Sequence, residues 1–351
     1  MRALTILLTS LLLVASLPTA SAFEISPYHN PQAIKTGLKA KYQHYLSRLT
    51  RPTHETLTRY ALQCAEAKLT HAWCDLPVAD LSNAPTFDEA ALLVGTVWND
   101  DPNNFFRVNG EVQWLYWLEA AKLARSISDR DPLEYRSHYG DLQYIHGMGN
   151  ADRPPLATRE DIMDWVHFAY DVATGAISPD AKLHSLENTH AFSRAFGGTS
   201  KRNWTVRKLF NNVGDVVCKT RCDDLPASDG QVAGMAMGAL LHTVQDSFSS
   251  SHVERVTQEG PLQYEVKAWL DYRKQKASCH GAADQDVERE YQIDASPKPS
   301  VTWGAWVIRN AMLKNAWSGA VEDQLRQRVF KPHATLRRSD GGAFNMCEGK
   351  A

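Results

Sequence analysis

The stretch that most restricts this chain is a helix that has to be buried. Residues 231–248 read as one helix, and Gly234, Ala236, Gly238 and Ala239 let neighbouring backbones come close to it. Glycine lowers intrinsic helix propensity, so packing must hold such a helix together. Yet its C-terminal end carries His242 and Asp246, with His252 six residues beyond. Positions four apart lie about one turn apart on a single face. Alone, a His-x-x-x-Asp pair is an ordinary helical ion pair or a hydrogen-bonded core histidine. Together with further ligands, it suits a divalent ion such as zinc. The rest of the chain has to decide between them.

The first 22 residues have the parts of an export signal: the positive start Met1-Arg2, an apolar run from Leu4 to Leu17, and the small residues Ala20-Ser21-Ala22. Cleavage before Phe23 is expected, leaving 23–351 as a single domain that is periplasmic or secreted. Cys64, Cys74, Cys218, Cys222, Cys279 and Cys347 all survive that cut and suit an oxidising compartment. Cys64–Cys74, Cys218–Cys222 and Cys279–Cys347 is the economical pairing among those possible. Cys218 and Cys222 have no second pair with which to make a zinc knuckle. The net charge of −2 at pH 7 gives no long-range attraction to nucleic acid or anionic membrane, though a local basic groove stays open.

Helical periodicity and capping signals predict helices over 34–49, 55–67 with Thr53 as cap, 88–98, 111–127, 159–175, 204–217, 231–248, 261–276, 284–291 and 303–330. Residues 77–85 read as loop and 129–152 as mostly irregular, the latter holding His138 and His146. Few stretches alternate as strands do, so the fold class expected is all-α, one multi-helix domain with disulfides. His167 lies off the apolar face of its helix and reads as solvated, and His184 and His190 beside a turn read as ordinary histidines.

Other ligand candidates are spread along the chain. His54 stands at a helix start, and Asp100 follows the helix that ends near Trp98. His138 sits in Ser137-His138-Tyr139-Gly140-Asp141, and His280-Gly-Ala-Ala-Asp284 repeats the His-x-x-x-Asp spacing. Each is weak alone. In this order, over about residues 51–284, they resemble the superfamily of zinc-dependent phospholipases C and fungal single-strand nucleases. The central His-x-x-x-Asp-x-x-x-x-x-His of that group is met by His242, Asp246 and His252. The downstream motif is met by His280 and Asp284, in the aspartate form found in the nucleases.

The resemblance implies an all-α enzyme with two or three zinc ions. One ion would take Asp100, His138, His242 and Asp246, and a second His252, His280 and Asp284. A third would share Asp246 with His54. In the family an N-terminal tryptophan completes that third site, whereas here the expected N-terminus is Phe23 and Arg51 stands three residues before His54. A vacant third site, one held differently, and one completed by Phe23 with His29 all remain open. Ser250 also replaces the family's usual proline before the last histidine of the central motif.

Clustered zinc ions suit phosphate-ester hydrolysis, because they bind the nonbridging oxygens and acidify a water. Asp100 would be both ligand and catalytic residue, orienting or deprotonating that water. No Gly-x-Ser-x-Gly elbow or phosphate-cradling glycine loop competes. The expectation is a phospholipase C acting on phospholipid at a membrane surface, with no stable protein partner implied. The alternative within the family is a nuclease acting on single-stranded nucleic acid; Trp98, Phe105, Phe106 and Tyr139 lie near ligand segments and suit either a base or a lipid, though most such aromatics are core. The alternative of another class is a non-catalytic helical protein with structural zinc.

Overall fold

A computed structural model describes residues 53–68, 74–77, 80–102, 127–211, 227–257, 264–276, 279–280 and 298–345. These residues are mostly helical. The elements that place the site are α1 (Thr53–Ala65), α2 (Glu89–Trp98), α3 (Leu133–Tyr139), α4 (Pro155–Thr174), α5 (Val206–Asn211), α6 (Asp229–Asp246) and α7 (Pro299–Met312), with β1 (Val253–Thr257) and β2 (Tyr264–Trp269). No helix among the described residues is long and apolar enough to cross a membrane. Residues 1–22 and the stretches 34–49, 111–127 and 284–291 lie wholly or almost wholly outside the described residues.

Helix α6 starts two residues before its predicted edge. Ser228 accepts from the backbone N–H of Gln231, whose side chain returns a hydrogen bond to the Ser228 N–H. This capping box satisfies two of the first-turn donors and carries the helix across Asp229 and Gly230. Every residue from Gly234 to Asp246 is buried. The small residues act as expected against α2. A Cβ on Gly238 would lie 2.1 Å from the Leu92 carbonyl oxygen, and one on Gly95 would lie 2.0 Å from that of Met235. Two backbones this close leave no freedom in how α2 sits on α6.

The remaining helices pack around this pair. On α4, Trp165 donates from Nε1 to Thr243 Oγ1 at 2.9 Å, tying the helix to α6. Trp98 stacks on Trp165 with ring centroids 5.5 Å apart. Helix α7 lies over α1, where Gly304 brings its backbone near Ala61 and Leu241. Arg309 of α7 donates to the carbonyls of Ala65 at 3.0 Å and Cys64 at 2.9 Å, serving the unpaired C-terminus of α1. The disulfide Cys64–Cys74 forms as the economical pairing has it. Cys279 is disulfide-bonded as well, while Cys218, Cys222 and Cys347 lie outside the described residues.

Two expectations are corrected. The helix expected over 261–276 is in part the strand β2, paired antiparallel with β1 from Val253↔Trp269 to Thr257↔Tyr264. Val266 and Ala268 point into the core with the half-exposed Lys267 between them, as alternate positions of a strand do. The mostly irregular segment 129–152 holds α3 and a tight turn at Gln143–His146, closed by Gly147 at φ 63°. The long helix over 303–330 breaks after Met312, where Lys314 has φ 53° and Gly319 φ 85°. Asn315 there donates its side-chain amide to Asn310 at 2.8 Å, a local bond that competes with helix continuation.

Candidate metal centre

Seven of the eight predicted ligands converge at the C-terminal end of α6. Asp284 lies outside the described residues. His54 comes from the first turn of α1, Asp100 from just past α2, and His138 from α3. His242 and Asp246 come from the last turns of α6, and His252 from the turn before β1. His280 follows the β2 segment. All seven are buried apart from small residual exposure, none above 5 %.

The Asp246 carboxylate sits at the middle. Its Oδ1 is 3.3 Å from His54 Nε2. Its Oδ2 is 2.8 Å from His242 Nε2, 3.1 Å from His146 Nδ1 and 3.4 Å from His252 Nδ1. Its two oxygens thus serve different neighbours, the disposition of a bridging ligand. Asp100 Oδ1 faces three imidazoles, at 3.8 Å from His146 Nδ1, 3.9 Å from His242 Nε2 and 4.0 Å from His138 Nε2.

His146 belongs to this cluster and sequence spacing did not single it out. It lies in the turn after α3, where no partner recurs at helical spacing. Only the fold brings its Nδ1 within 3.1 Å of His242 Nε2. Its Nε2 is buried and meets no hydrogen-bond partner among the described residues.

The other rings share one orientation device. His54 Nδ1 donates to Gln245 Oε1 at 2.6 Å, and Gln245 in turn donates to Thr58 Oγ1 at 2.8 Å. His242 Nδ1 donates to the Thr96 carbonyl at 2.7 Å, and His138 Nδ1 to that of Glu134 at 2.9 Å. His252 Nδ1 donates to the His146 carbonyl at 2.9 Å, and His280 Nδ1 to Gln275 Oε1 at 2.5 Å. With its Nδ1 proton committed to an oxygen, each of these rings that is neutral has its lone pair on Nε2, whereas His54, held charged beside Asp246, keeps a proton there. Metal-ligating histidines are set in this way by the groups behind them.

The electrostatics separate the imidazoles into two kinds. Burial is the main force that holds His242 down to about 4, with the neighbouring His54 charge adding to it. Burial and then His146 bring His138 to about 3, and burial also takes His146 to about 4 despite its bond to Asp246. His280 is well below the ordinary range, from burial and then His252. His54 differs. Burial pushes it down, but the hydrogen bond and charge of Asp246, with Asp100 behind, raise it to about 9. Burial would raise Asp246, but the charges of His242 and His252 and the bonds from His146 and His242 hold it well below the usual carboxylate range.

The donor set fits a divalent ion. Tetrahedral zinc with bonds of about 2.0–2.1 Å places its ligand atoms about 3.3–3.4 Å apart. The separations of 2.8–3.4 Å around Asp246 bracket that edge. His252 Nε2 and His280 Nε2 face each other at 3.1 Å, each ring's Nδ1 being bonded to an oxygen. A metal ion or a proton between the two nitrogens satisfies both. Buried His and Asp groups able to hold a metal ion are therefore a property of this fold.

Scans against protein-family models, curated proteins and solved structures find no match to the chain. The site must be read on its own chemistry.

Two of the aromatics near the ligand segments are core residues. Trp98 is 2 % exposed and Tyr139 4 %. Tyr139 stacks on Tyr272 at 5.1 Å with planes 4° apart, so both of these aromatics are core. Phe105 and Phe106 lie outside the described residues.

Proposed function

We propose that the chain is an exported, zinc-dependent phosphoric-ester hydrolase, with a phospholipid as substrate and the all-α fold of the phospholipase C and nuclease superfamily over 23–351. The observation that carries this reading is the convergence of buried imidazoles on the Asp246 and Asp100 carboxylates, with His252 and His280 Nε2 facing each other at 3.1 Å beside them. Clustered zinc ions supply charge for the nonbridging phosphate oxygens and bring the pKa of a water down to about 7. The protein's part is to fix the ligands and keep several of the imidazoles neutral, while His54, raised to about 9, would release its proton on binding an ion. His138, His146 and His242, all far below the ordinary histidine range, remain neutral at pH 7.

Asp100 is the residue assigned to the attacking water. Its Oδ1 stands about equally far from His138, His146 and His242, so it can orient a water among them or take its proton. His54 and Asp246 would hold a third ion if one binds, and Phe23 with His29 is one way to complete that site. The choice of phospholipid over nucleic acid rests on charge. A net charge of −2 provides no general attraction for a polyanion.

The deciding experiment compares two substrates on the purified mature protein. Hydrolysis of phosphatidylcholine and not of single-stranded DNA, abolished by a chelator and by His242→Ala, is the expected outcome. Cleavage of single-stranded DNA would assign the nuclease activity instead. No hydrolysis of either by zinc-loaded protein would leave a structural zinc protein and overturn the proposal.

A further inference from the structure

A second histidine–carboxylate cluster stands apart from the central one and shares no residue with it. His167 and Asp171 are one turn apart on α4, with His167 Nε2 at 3.1 Å from Asp171 Oδ2. His190, just before the turn Ala191–Phe196, brings its Nε2 to 3.5 Å from the same oxygen. The two imidazoles meet edge-on with centroids 4.6 Å apart. Ligand atoms of all three residues lie within 4.8 Å of one another.

A purely structural role does not account for this arrangement. A buried structural histidine has both ring nitrogens satisfied. His190 is 5 % exposed, and its Nδ1 has no hydrogen-bond partner among the described residues. Packing holds the ring instead, with Phe168 edge-on at 5.9 Å. His167 is fixed by stacking on Trp317, with centroids 4.9 Å apart and planes 9° apart. Two imidazoles therefore aim at one carboxylate oxygen, held by ring contacts rather than by a closed polar network. Their separations of 3.1 and 3.5 Å straddle the roughly 3.3 Å edge of a zinc tetrahedron. The side chains of His167 and Asp171 are 30 % and 18 % exposed, which leaves a path for an ion and room for water on its outer side.

We propose that His167, Asp171 and His190 form a separate site for zinc or a neighbouring divalent transition metal, bound through two imidazole nitrogens and one carboxylate oxygen with water completing the shell. Two nitrogens and one hard oxygen suit the borderline ions and do not suit calcium or magnesium, which take oxygen ligands. The site does not depend on the central cluster: a difference between wild type and a variant of these three residues reads it whatever the central cluster binds.

The test uses the full mature chain, stripped by chelator and reloaded with Zn2+, with bound metal measured by equilibrium dialysis and elemental analysis. His167→Ala with His190→Ala should bind one equivalent less than wild type. In a parallel titration, Ni2+ should quench Trp317 emission in wild type and not in the double variant, with Trp317→Phe identifying the signal. The singly substituted His167→Ala, at a partly exposed position, should weaken binding at least about tenfold and serves if the double variant does not fold. Equal metal content and equal quenching in wild type and His167→Ala would overturn the proposal.

Discussion

The Nε2 atoms of His252 and His280 face each other at 3.1 Å while each ring's Nδ1 is held by an oxygen behind it, the His146 carbonyl for one and Gln275 for the other. Neither ring can turn away without breaking the bond at its back. Gln275 is itself anchored, donating its amide to the Ser251 carbonyl at 2.7 Å. The facing of the two nitrogens is thus built into the fold.

Removing the support should weaken the centre without removing a ligand. Gln275→Leu takes away the acceptor of His280 Nδ1 and leaves every ligating atom in place. Metal affinity should fall about 10–100-fold, the usual effect of losing a group behind a metal-bound histidine. Competition with a chromophoric chelator measures it, and an unchanged affinity would mean that Gln275 does not orient the ring.

His146 was invisible to spacing but is central in space. His146→Ala should lower both bound metal and hydrolysis, as His242→Ala does, whereas a residue that only packs would leave metal content unchanged. Elemental analysis of the two variants side by side checks this.

Other parts of the centre were legible because their determinants are local. The His242–Asp246 spacing, the small residues of α6 and the short Cys64–Cys74 loop each follow from positions a few residues apart. What was missed depends on distant partners. β2 pairs with β1 and takes a further bond from Val266 N–H to the Lys331 carbonyl at 2.7 Å, so tertiary pairing overrides local preference there. Gln245 and Gln275 carry no sequence signal of their own, since only the fold sets them behind His54 and His280. His167 read as solvated because the stacking surface, Trp317, lies 150 residues away.

The metal-free protein should be most stable near pH 6.5. His138, His146 and His242 are depressed to about 3–4. Below the unfolded value of about 6.5 the unfolded chain binds more protons at these three, so stability is lost as pH falls towards 4. His54 is raised to about 9. Its contribution is complete below about 6.5 and is lost as pH rises through 9. Calorimetry of chelated protein across this range should give a melting temperature that falls on both sides. A melting temperature that keeps rising towards pH 4 would contradict the buried neutral imidazoles.

The contact between α2 and α6 fixes Asp100 against His242. Gly238→Ala would force a Cβ onto the Leu92 carbonyl at 2.1 Å. The backbones must separate, at a cost of at least about 1–3 kcal/mol, and metal affinity should fall with stability. Gly230→Ala, whose Cβ meets nothing within 4 Å, is the control and should leave both intact. Chemical denaturation of the two variants, read beside their metal content, separates the cases.

The central claim is that these histidines and aspartates are metal ligands rather than a buried polar network. A crystal of the zinc-loaded protein measured at the zinc absorption edge tests it most directly. The account predicts an anomalous peak about 2.0–2.1 Å from both His252 Nε2 and His280 Nε2, and a second beside Asp246 and His242. Well-ordered density at these side chains with no anomalous peak would contradict it.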